Sequence, residues 1–195
     1  MRRNIMKEIK IGTQIWMAEN LNVSQFRNGD IIPEVKTNEE WKEAGINKQP
    51  AWCYYDNNPE NGKIYGKLYN WHAVNDIRGL APEGWHIPTD DELTTLINYL
   101  GGENVAGGKL KEIGTTHWQS PNTGATNESG FSALPGGYRY FNGSFYYIGY
   151  YGNWWSSSEL SAADAWYRFL FYYYSNVFRY YYSKEYGFSV RCVKN

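Results

Sequence analysis

The residues best suited to chemistry in this sequence are aromatic, and they are concentrated near its C-terminal end. From Trp166 to Phe188, 13 of 23 residues are Trp, Tyr or Phe. Eight of the chain's 19 tyrosines lie between Tyr167 and Tyr186. Each buried tyrosine hydroxyl needs a hydrogen-bond partner. Because water or a ligand satisfies eight hydroxyls more easily than a hydrophobic core does, the stretch predicts recognition through rings and phenol groups.

The spacing of the rings predicts two strands joined by a turn at Ser175-Asn176. Successive side chains of a strand point to opposite faces. We expect Trp166 and Leu170 to anchor the first strand on the core. The alternate positions predict an open row of rings: Tyr167, Phe169, Phe171 and Tyr173. The second strand places its own rings on one face: Phe178, Tyr180 and Tyr182.

A competing interpretation is that the tract forms an ordinary sheet core, since strand patterns mostly report burial. The ring count exceeds what one face of a small sheet can bury, which favours an exposed surface. The segment after the tract, Gly187 to Val193, alternates polar and apolar residues. It predicts a central strand with Phe188, Val190 and Cys192 facing inward.

Catalysis would need titratable groups at matched spacings, and the sequence offers few. The three histidines, His72, His86 and His117, each lie beside a tryptophan. No H-x-x-x-H or C-x-x-C spacing occurs, so no transition-metal site is predicted. We interpret the histidines as groups that form hydrogen bonds within the fold, and we expect no catalytic site and no cofactor.

Other polar groups leave two alternatives open. The two cysteines, Cys53 and Cys192, are too few for a disulfide scaffold, and two buried thiols are favoured over a pair. One polar loop offers oxygen ligands for calcium at a spacing unlike that of an EF-hand, which leaves a structural Ca²⁺ site open there. Its ligands would come from Asp56, Asn57, Asn58, Glu60 and Asn61.

The composition limits the class of protein. The chain has 195 residues and a net charge of −1, which predicts a single domain spanning residues 1–195. No Lys/Arg run predicts nucleic-acid binding, and no run of 18 apolar residues predicts membrane insertion. Residues 1–8 are partly basic but precede no apolar segment, so we expect a cytoplasmic or particle-associated chain.

Local signals predict the elements that must position the aromatic tract. Residues 9–19 predict a hairpin with its turn at Gly12-Thr13. Capping boxes at Thr37 and Thr89 each predict a helix start, because a Glu follows three residues later. We also expect a strand at 51–55, a polar loop at 56–62, a helix at 65–74 and a short helix at 106–112. The pattern is that of an α+β fold with short helices, small antiparallel sheets and long loops.

Several motifs in order resemble the Fibrobacter succinogenes major paralogous domain. They are Ile11-Gly12-Thr13-Gln14-Ile15-Trp16, Gly66-Lys67-Leu68-Tyr69-Asn70-Trp71, Pro82-Glu83-Gly84-Trp85-His86, Gly130-Phe131-Ser132-Ala133-Leu134-Pro135-Gly136-Gly137, Trp154-Trp155-Ser156-Ser157-Ser158-Glu159 and Gly187-Phe188-Ser189-Val190-Arg191-Cys192-Val193. The resemblance implies a C-type-lectin-like fold, shared with formylglycine-generating enzymes. The resemblance implies a secreted protein or a surface lipoprotein, whereas residues 1–8 predict no signal, so we expect this chain to depart from the family there.

The aromatic tract is also similar to the variable region of proteins diversified by retroelements, which often use this fold. That resemblance implies that residues 154–193 form a variable binding region on a constant frame. The frame would be Trp166, Arg168, Leu170, Val177, Arg179, Lys184 and Gly187. The implied ligand-binding residues are Tyr167, Phe169, Phe171, Tyr172, Tyr173, Tyr174, Phe178, Tyr180, Tyr181, Tyr182 and Tyr186.

Three functions follow as hypotheses. The first is a binding protein whose tyrosine-rich surface contacts a protein or glycan on a cell, since Tyr offers large contact area at low entropic cost. The second is a carbohydrate-binding module, although the Glu-Pro-Asn and Trp-Asn-Asp signatures of calcium lectins are absent. The third is an oxidase using Cys53 and Cys192, which likeness of fold alone does not support.

Overall fold

The computed structural model describes residues 7–195 and has an α+β fold built from short elements. The expectation about an N-terminal signal concerned residues 1–8, of which 1–6 lie outside the described residues. The helices are α1 (Asn38–Ile46), α2 (Pro59–Tyr65), α3 (Trp71–Val74), α4 (Asp90–Tyr99) and α5 (Glu103–Leu110). The strands are β1 (Glu8–Ile11), β2 (Gln14–Met17), β3 (Trp52–Cys53), β4 (Leu68–Tyr69), β5 (Trp85–His86), β6 (Tyr138–Arg139), β7 (Phe145–Tyr146), β8 (Tyr151–Glu159), β9 (Asp164–Phe171), β10 (Val177–Ser183) and β11 (Val193–Lys194).

The longest strands form a three-stranded antiparallel sheet in the order β10-β9-β8. The β9–β10 hairpin pairs Leu170 with Val177 and Asp164 with Ser183. The predicted hairpin is confirmed, but its connection spans residues 172–176, because β9 ends at Phe171 and not at the expected Tyr173. Strand β8 pairs with β9 from Tyr151 to Trp155 and shifts register before Glu159. This sheet carries the predicted aromatic tract.

A second sheet joins the two ends of the chain in the order β1-β2-β11-β5. The predicted N-terminal hairpin is confirmed, with its turn at Gly12, whose φ is +61°. Strand β11 lies between β2 and β5, so the C-terminal end of the chain is central, as predicted. Two smaller pairs, β3-β4 and β6-β7, complete the strands of residues 7–195.

The two helices predicted from capping boxes begin where expected. The Thr37 hydroxyl accepts from the backbone N–H of Glu40, and the Thr89 hydroxyl accepts from that of Glu92. In each case the glutamate carboxylate accepts a hydrogen bond from the backbone N–H of the cap threonine. These helices are fixed locally because each satisfies its own exposed N–H groups.

Two predictions between residues 51 and 74 are wrong. The polar loop expected at 56–62 is a 3₁₀ turn followed by α2, which Asn58 caps and Pro59 begins. The helix expected at 65–74 is interrupted at Gly66, whose φ is +75° and whose absent Cβ would lie 2.9 Å from the Leu21 carbonyl oxygen. Residues after Gly66 form β4 and the single turn of α3 instead. The helix expected at 106–112 is α5, which begins earlier, at Glu103.

The strand predicted at 187–193 is only partly right. Phe188, Val190 and Cys192 are buried as expected, but the polar alternates Ser189 and Arg191 are buried too. The segment forms isolated bridges to Arg139, Tyr69 and Trp154 before it enters β11. The segment therefore runs through the core between the sheets. Its side chains are buried on both faces, whereas one buried and one exposed face were expected.

Candidate functional site

The register of the three-stranded sheet assigns each ring of the C-terminal tract to one of two faces. Residues directly opposite each other in antiparallel strands lie on the same face. We call the first the anchored face; it carries Gly152, Trp154, Trp166, Arg168, Leu170, Val177, Arg179 and Tyr181. We call the second the aromatic face; it carries Tyr151, Asn153, Trp155, Tyr167, Phe169, Phe171, Phe178, Tyr180 and Tyr182.

The anchored face packs against α4 and α5 and contains a buried ion pair. Arg168, 4% exposed, donates to the Asp90 carboxylate at the start of α4 and to the Thr94 hydroxyl at 2.9 Å. Arg179 donates to the second oxygen of Asp90 at 2.9 Å. Burial lowers the pKa of Arg168 despite the carboxylate. These contacts attach the β9–β10 hairpin to α4 through the buried charge of Arg168.

The predicted anchors of this face need one correction. Leu170 is buried as expected, but Trp166 is only half-buried because it lies near the open end of the hairpin. The Arg179 guanidinium covers its ring, with 3.4 Å from the guanidinium carbon to the ring centroid. Arg168, and not the predicted Trp166, is therefore the residue that anchors β9 together with Leu170.

The implied ligand-binding set contains rings at three depths, which the alternation alone did not separate. The five exposed members of the implied ligand-binding set are Tyr173, Tyr174, Tyr180, Tyr181 and Tyr182. Four more are half-buried, namely Phe169, Phe171, Tyr172 and Phe178. Tyr181 points to the anchored side, but its ring lies parallel to that of Tyr180, with centroids 5.1 Å apart, because β10 is an edge strand.

Two members of the implied set, Tyr167 and Tyr186, are buried to 4% exposure. The expectation of a fully open row is therefore wrong for Tyr167. Its ring lies 4.6 Å from Phe188 and is overlaid by Tyr182 at 5.7 Å. Tyr186 is covered by a stacked Tyr182 at 4.4 Å. Both rings form a buried layer beneath the exposed tyrosines, so they reach a ligand only through an opening in that layer.

A second aromatic segment, missed by the sequence reasoning, adjoins this face. Residues 138–151 contain eight aromatic residues out of 14, the same density as the C-terminal tract. They form the β6-β7 hairpin and the loop leading into β8, and their rings contact those of the tract. Tyr150 lies 5.3 Å from Tyr172, and Tyr140 lies 4.9 Å from Tyr186. Counting rings across the whole sequence would have found this segment.

The two segments enclose a cavity of about 290 Å³, which we call the tyrosine pocket. Its lining consists of Tyr138, Tyr147, Tyr151, Asn153, Tyr167, Phe169, Tyr180, Tyr182 and Phe188. Tyr167, Phe188 and Asn153 are buried and form the floor, whereas Tyr147 and Tyr180 are about half exposed and form the rim. All nine lining side chains are uncharged, so the pocket joins ring faces to neutral polar groups.

Three phenol groups of the tyrosine pocket, those of Tyr138, Tyr151 and Tyr167, stay protonated over a wide pH range. Burial, and then the neighbouring phenols, raise the pKa of Tyr138 and of Tyr167 above the usual range. The same causes raise the pKa of Tyr151. Each hydroxyl can therefore both donate and accept a hydrogen bond.

The residues considered for other chemistry are engaged elsewhere. His86 lies between Glu92 and Asn195, and His117 contacts Glu112, as expected for histidines bonded within the fold. Both cysteines are free and buried, and burial raises the pKa of each thiol to about 12. This matches the favoured interpretation of two buried thiols.

Two of the oxygen groups proposed for calcium, those of Asn58 and Glu60, have protein partners, whereas the Asn57 side-chain oxygen is buried without a partner among residues 7–195. The Asn58 side chain caps α2, the Glu60 carboxylate contacts Lys63 at 2.6 Å, and Asn61 donates to the Tyr55 carbonyl. Within residues 7–195, no three His, Cys, Asp or Glu side chains are grouped to hold a metal ion. No helix of the described chain is both long and apolar enough to cross a membrane.

A larger cleft of about 530 Å³ lies away from the rings and has a mixed lining of acids, bases and carbonyls. Its buried Arg191 donates to the Asn20 side chain and the Phe131 carbonyl, and its His117 faces Glu112. These groups are paired with one another and hold the fold together. The tyrosine pocket and the rings around it are therefore the stronger candidate site.

Comparison with known proteins gives a family but no individual relative. A family model for the Fibrobacter succinogenes major domain matches residues 9–194. No curated protein and no solved structure gives a match.

Proposed function

We propose that this chain, which belongs to the Fibrobacter succinogenes major domain family, is a binding protein whose aromatic face contacts a ligand on a cell surface. The observation that carries the proposal is the distribution of exposed rings. Ten aromatic side chains are exposed among the described residues, and nine of them belong to segments 138–151 and 166–188. A folded domain that exposes its rings on one contiguous surface has an interaction site there.

The chemistry of these rings suits protein recognition. Tyrosine buries large area while only two side-chain torsions become fixed, and its hydroxyl adapts to different partners. The rings here are already packed against each other, as in the Tyr180–Tyr181 stack, so little ordering remains when a partner binds. A few central rings can then supply most of the binding free energy, about 2 kcal/mol or more each.

Diversification by a retroelement belongs to the same proposal. Five of the seven frame residues, Arg168, Leu170, Val177, Lys184 and Gly187, are buried, whereas most of the implied ligand-binding rings are exposed or half-buried. Exchange of the exposed rings would leave the buried contacts intact. We likewise propose the C-type-lectin-like fold for the whole chain. A reverse-transcriptase gene beside a near-copy of the sequence encoding residues 154–193 would support this origin, and its absence would count against it.

The proposal assigns no catalysis to this chain. A formylglycine-generating type of oxidase needs reactive thiolates in a cleft, but Cys53 and Cys192 are both 0% exposed. Burial raises their pKa to about 12, so they stay as thiols near neutral pH.

Binding to intact cells tests the proposal. The fluorescently labelled protein is applied to a panel of bacterial and host cells, and staining is measured by flow cytometry. We expect the double variant Tyr173→Ala, Tyr180→Ala to lose the staining at an unchanged melting temperature, because both rings are about half exposed. The control is Tyr99→Ala, an exposed tyrosine on α4 that is outside both aromatic segments. Staining that survives the double variant, or no staining of any cell, would refute the proposal.

A further inference from the structure

We infer that the tyrosine pocket is a calcium-independent subsite for one uncharged pyranose ring at the end of a cell-surface glycan. The inference rests on the proposed function, because it names the chemistry that the aromatic face would recognise.

The floor of the pocket presents an unused hydrogen-bond acceptor. Asn153 is 3% exposed and donates its Nδ2 to the Gly137 carbonyl at 3.1 Å. Its Oδ1 accepts no hydrogen bond from residues 7–195 and is not enclosed by protein, so it opens into the pocket. Covering this oxygen with an apolar group would leave a buried acceptor without a hydrogen bond, which is unfavourable. The occupant therefore carries a donor.

The phenol groups extend this polar floor. The hydroxyl of Tyr167 forms no hydrogen bond with the described residues, and it too is not enclosed. Tyr138 and Tyr182 line the same pocket, and the Tyr182 ring lies 5.7 Å from that of Tyr167, so three phenol groups border one cavity. Groups that both donate and accept match the hydroxyls of a sugar, which do the same.

The absence of charge in the lining excludes ionic occupants. None of the nine lining side chains is Asp, Glu, Lys, Arg or His. A carboxylate or ammonium group entering the pocket would lose water without gaining an opposite charge. Acidic and amino sugars are therefore disfavoured relative to neutral ones.

The volume and the walls of the tyrosine pocket fit a single sugar ring that has one apolar face. The volume of about 290 Å³ is at the lower end of small-molecule sites, which begin near 300 Å³. The walls are ring faces, including Phe169, Tyr180 and Tyr182. The electron-rich face of an aromatic ring attracts positively polarised hydrogens. One face of a pyranose is lined by such C–H groups while its hydroxyls point outward, so it fits both the walls and the floor.

Tyr147 lies at the rim of the tyrosine pocket, and its backbone has an unfavourable conformation there. Its φ is +64°, a left-handed conformation that is uncommon and strained for a bulky residue. The N–H groups of Tyr150 and Tyr151 both donate to its carbonyl, at 3.0 and 3.1 Å, and maintain the turn. Its ring contacts those of Tyr138 and Tyr151 beside the opening. We assign Tyr147 as the clamp of the pocket, meaning the rim residue whose ring contacts the bound sugar.

Saturation-transfer NMR and calorimetry on the full chain test the inference. The probes are the methyl glycosides of glucose, galactose and mannose, methyl glucuronide as the charged match, and p-cresol as an aromatic ring without a sugar. We expect at least one neutral glycoside to bind in the millimolar range, unchanged by EDTA, and at least about tenfold tighter than the glucuronide. Failure of all neutral glycosides, or tighter binding of p-cresol, overturns the inference.

Two variants locate the binding. Tyr147→Gly removes the clamp and relieves the backbone, so we expect a higher melting temperature and at least about tenfold weaker glycoside binding. Tyr99→Ala is the control and should bind as the parent does. Equal glycoside binding by Tyr147→Gly and the parent would contradict the assigned clamp. If the Tyr173→Ala, Tyr180→Ala variant loses cell staining but the parent binds no glycoside, the sugar subsite alone is refuted. The proposed function then stands.

Discussion

Tyr167 and Arg168 are neighbours in the chain, but their side chains enter opposite halves of the molecule. Arg168, on the anchored face, is held by Asp90 and Thr94 of α4. Tyr167, on the aromatic face, lies among rings whose outermost layer is exposed. The period of two in a strand thus separates contacts that hold the hairpin from rings available to a partner. A surface built this way can change its rings while its attachment stays the same.

The comparison also shows that the aromatic face has depth. Its outer rings, such as Tyr180, are about half exposed, whereas Tyr167 beneath them is as buried as Arg168 and Val177 of the anchored face, each 4% exposed. The rings available to a ligand and the rings that stabilise the fold are therefore two layers on the same face of the sheet. The plane of the sheet does not separate them. Four predictions test where the boundary between the two layers lies.

Removal of Arg168 should have the largest effect. Arg168→Ala leaves the Asp90 carboxylate without its buried partner, so we expect the free energy of unfolding to fall by about 3–5 kcal/mol. Urea denaturation followed by tryptophan fluorescence measures the change. Arg179→Ala is the matched control, because Arg179 contacts the same carboxylate with a side chain 39% exposed. Its loss should cost about 1 kcal/mol or less. Equal costs for the two arginines would show that the ion pair does not anchor the hairpin.

Tyr167 tests the inner layer of the aromatic face. Tyr167→Ala opens a void between Trp155 and Phe188, so we expect a loss of about 3 kcal/mol in unfolding free energy. Tyr167→Phe keeps the ring and removes a hydroxyl that has no partner among the described residues. It should change stability by less than about 1 kcal/mol. A stability loss on the Phe substitution as large as on the Ala substitution would place the hydroxyl in the folding contacts.

The outer layer should contribute little to folding. We expect Tyr180→Ala, and also Tyr181→Ala on the opposite side of the same edge strand, each to change the free energy of unfolding by less than about 0.5 kcal/mol, because both side chains are about half exposed. The same urea titration measures it. A loss above about 2 kcal/mol for either would assign these rings to the core and remove the distinction between the two layers.

The stability of the fold and the affinity of the tyrosine pocket should also differ in their response to acid. Burial, and then the nearby Lys184 and Lys48, lower the pKa of His72 to about 4. The unfolded chain takes up this proton near pH 6.5, so the native state loses stability as the pH falls from about 6.5 through about 4. His72→Gln should flatten that part of the pH profile. The tyrosine pocket has no charged lining, so its affinity in the folded molecules should stay constant over the same range. A pocket affinity that follows the His72 titration would contradict this separation.

Elements governed by neighbours in the chain were predictable from the sequence. The capping boxes at Thr37 and Thr89 and the hairpin turn at Gly12 each satisfy their hydrogen bonds or their backbone conformation within a few residues. The helix expected at 65–74 was wrong because Gly66 lies against the backbone of Leu21, a contact from far along the chain. Amphipathic spacing alone could not reveal that approach.

The sequence by itself determined the alternation of rings and frame residues, since backbone geometry imposes a period of two on any strand. It also determined the concentration of phenol groups. Only the tertiary structure decided which rings are covered, because burial depends on what packs above each side chain. Tyr182 covers Tyr167 and Tyr186, and the separate segment 138–151 completes the tyrosine pocket. Such contacts join residues distant in the chain, and no local pattern encodes them.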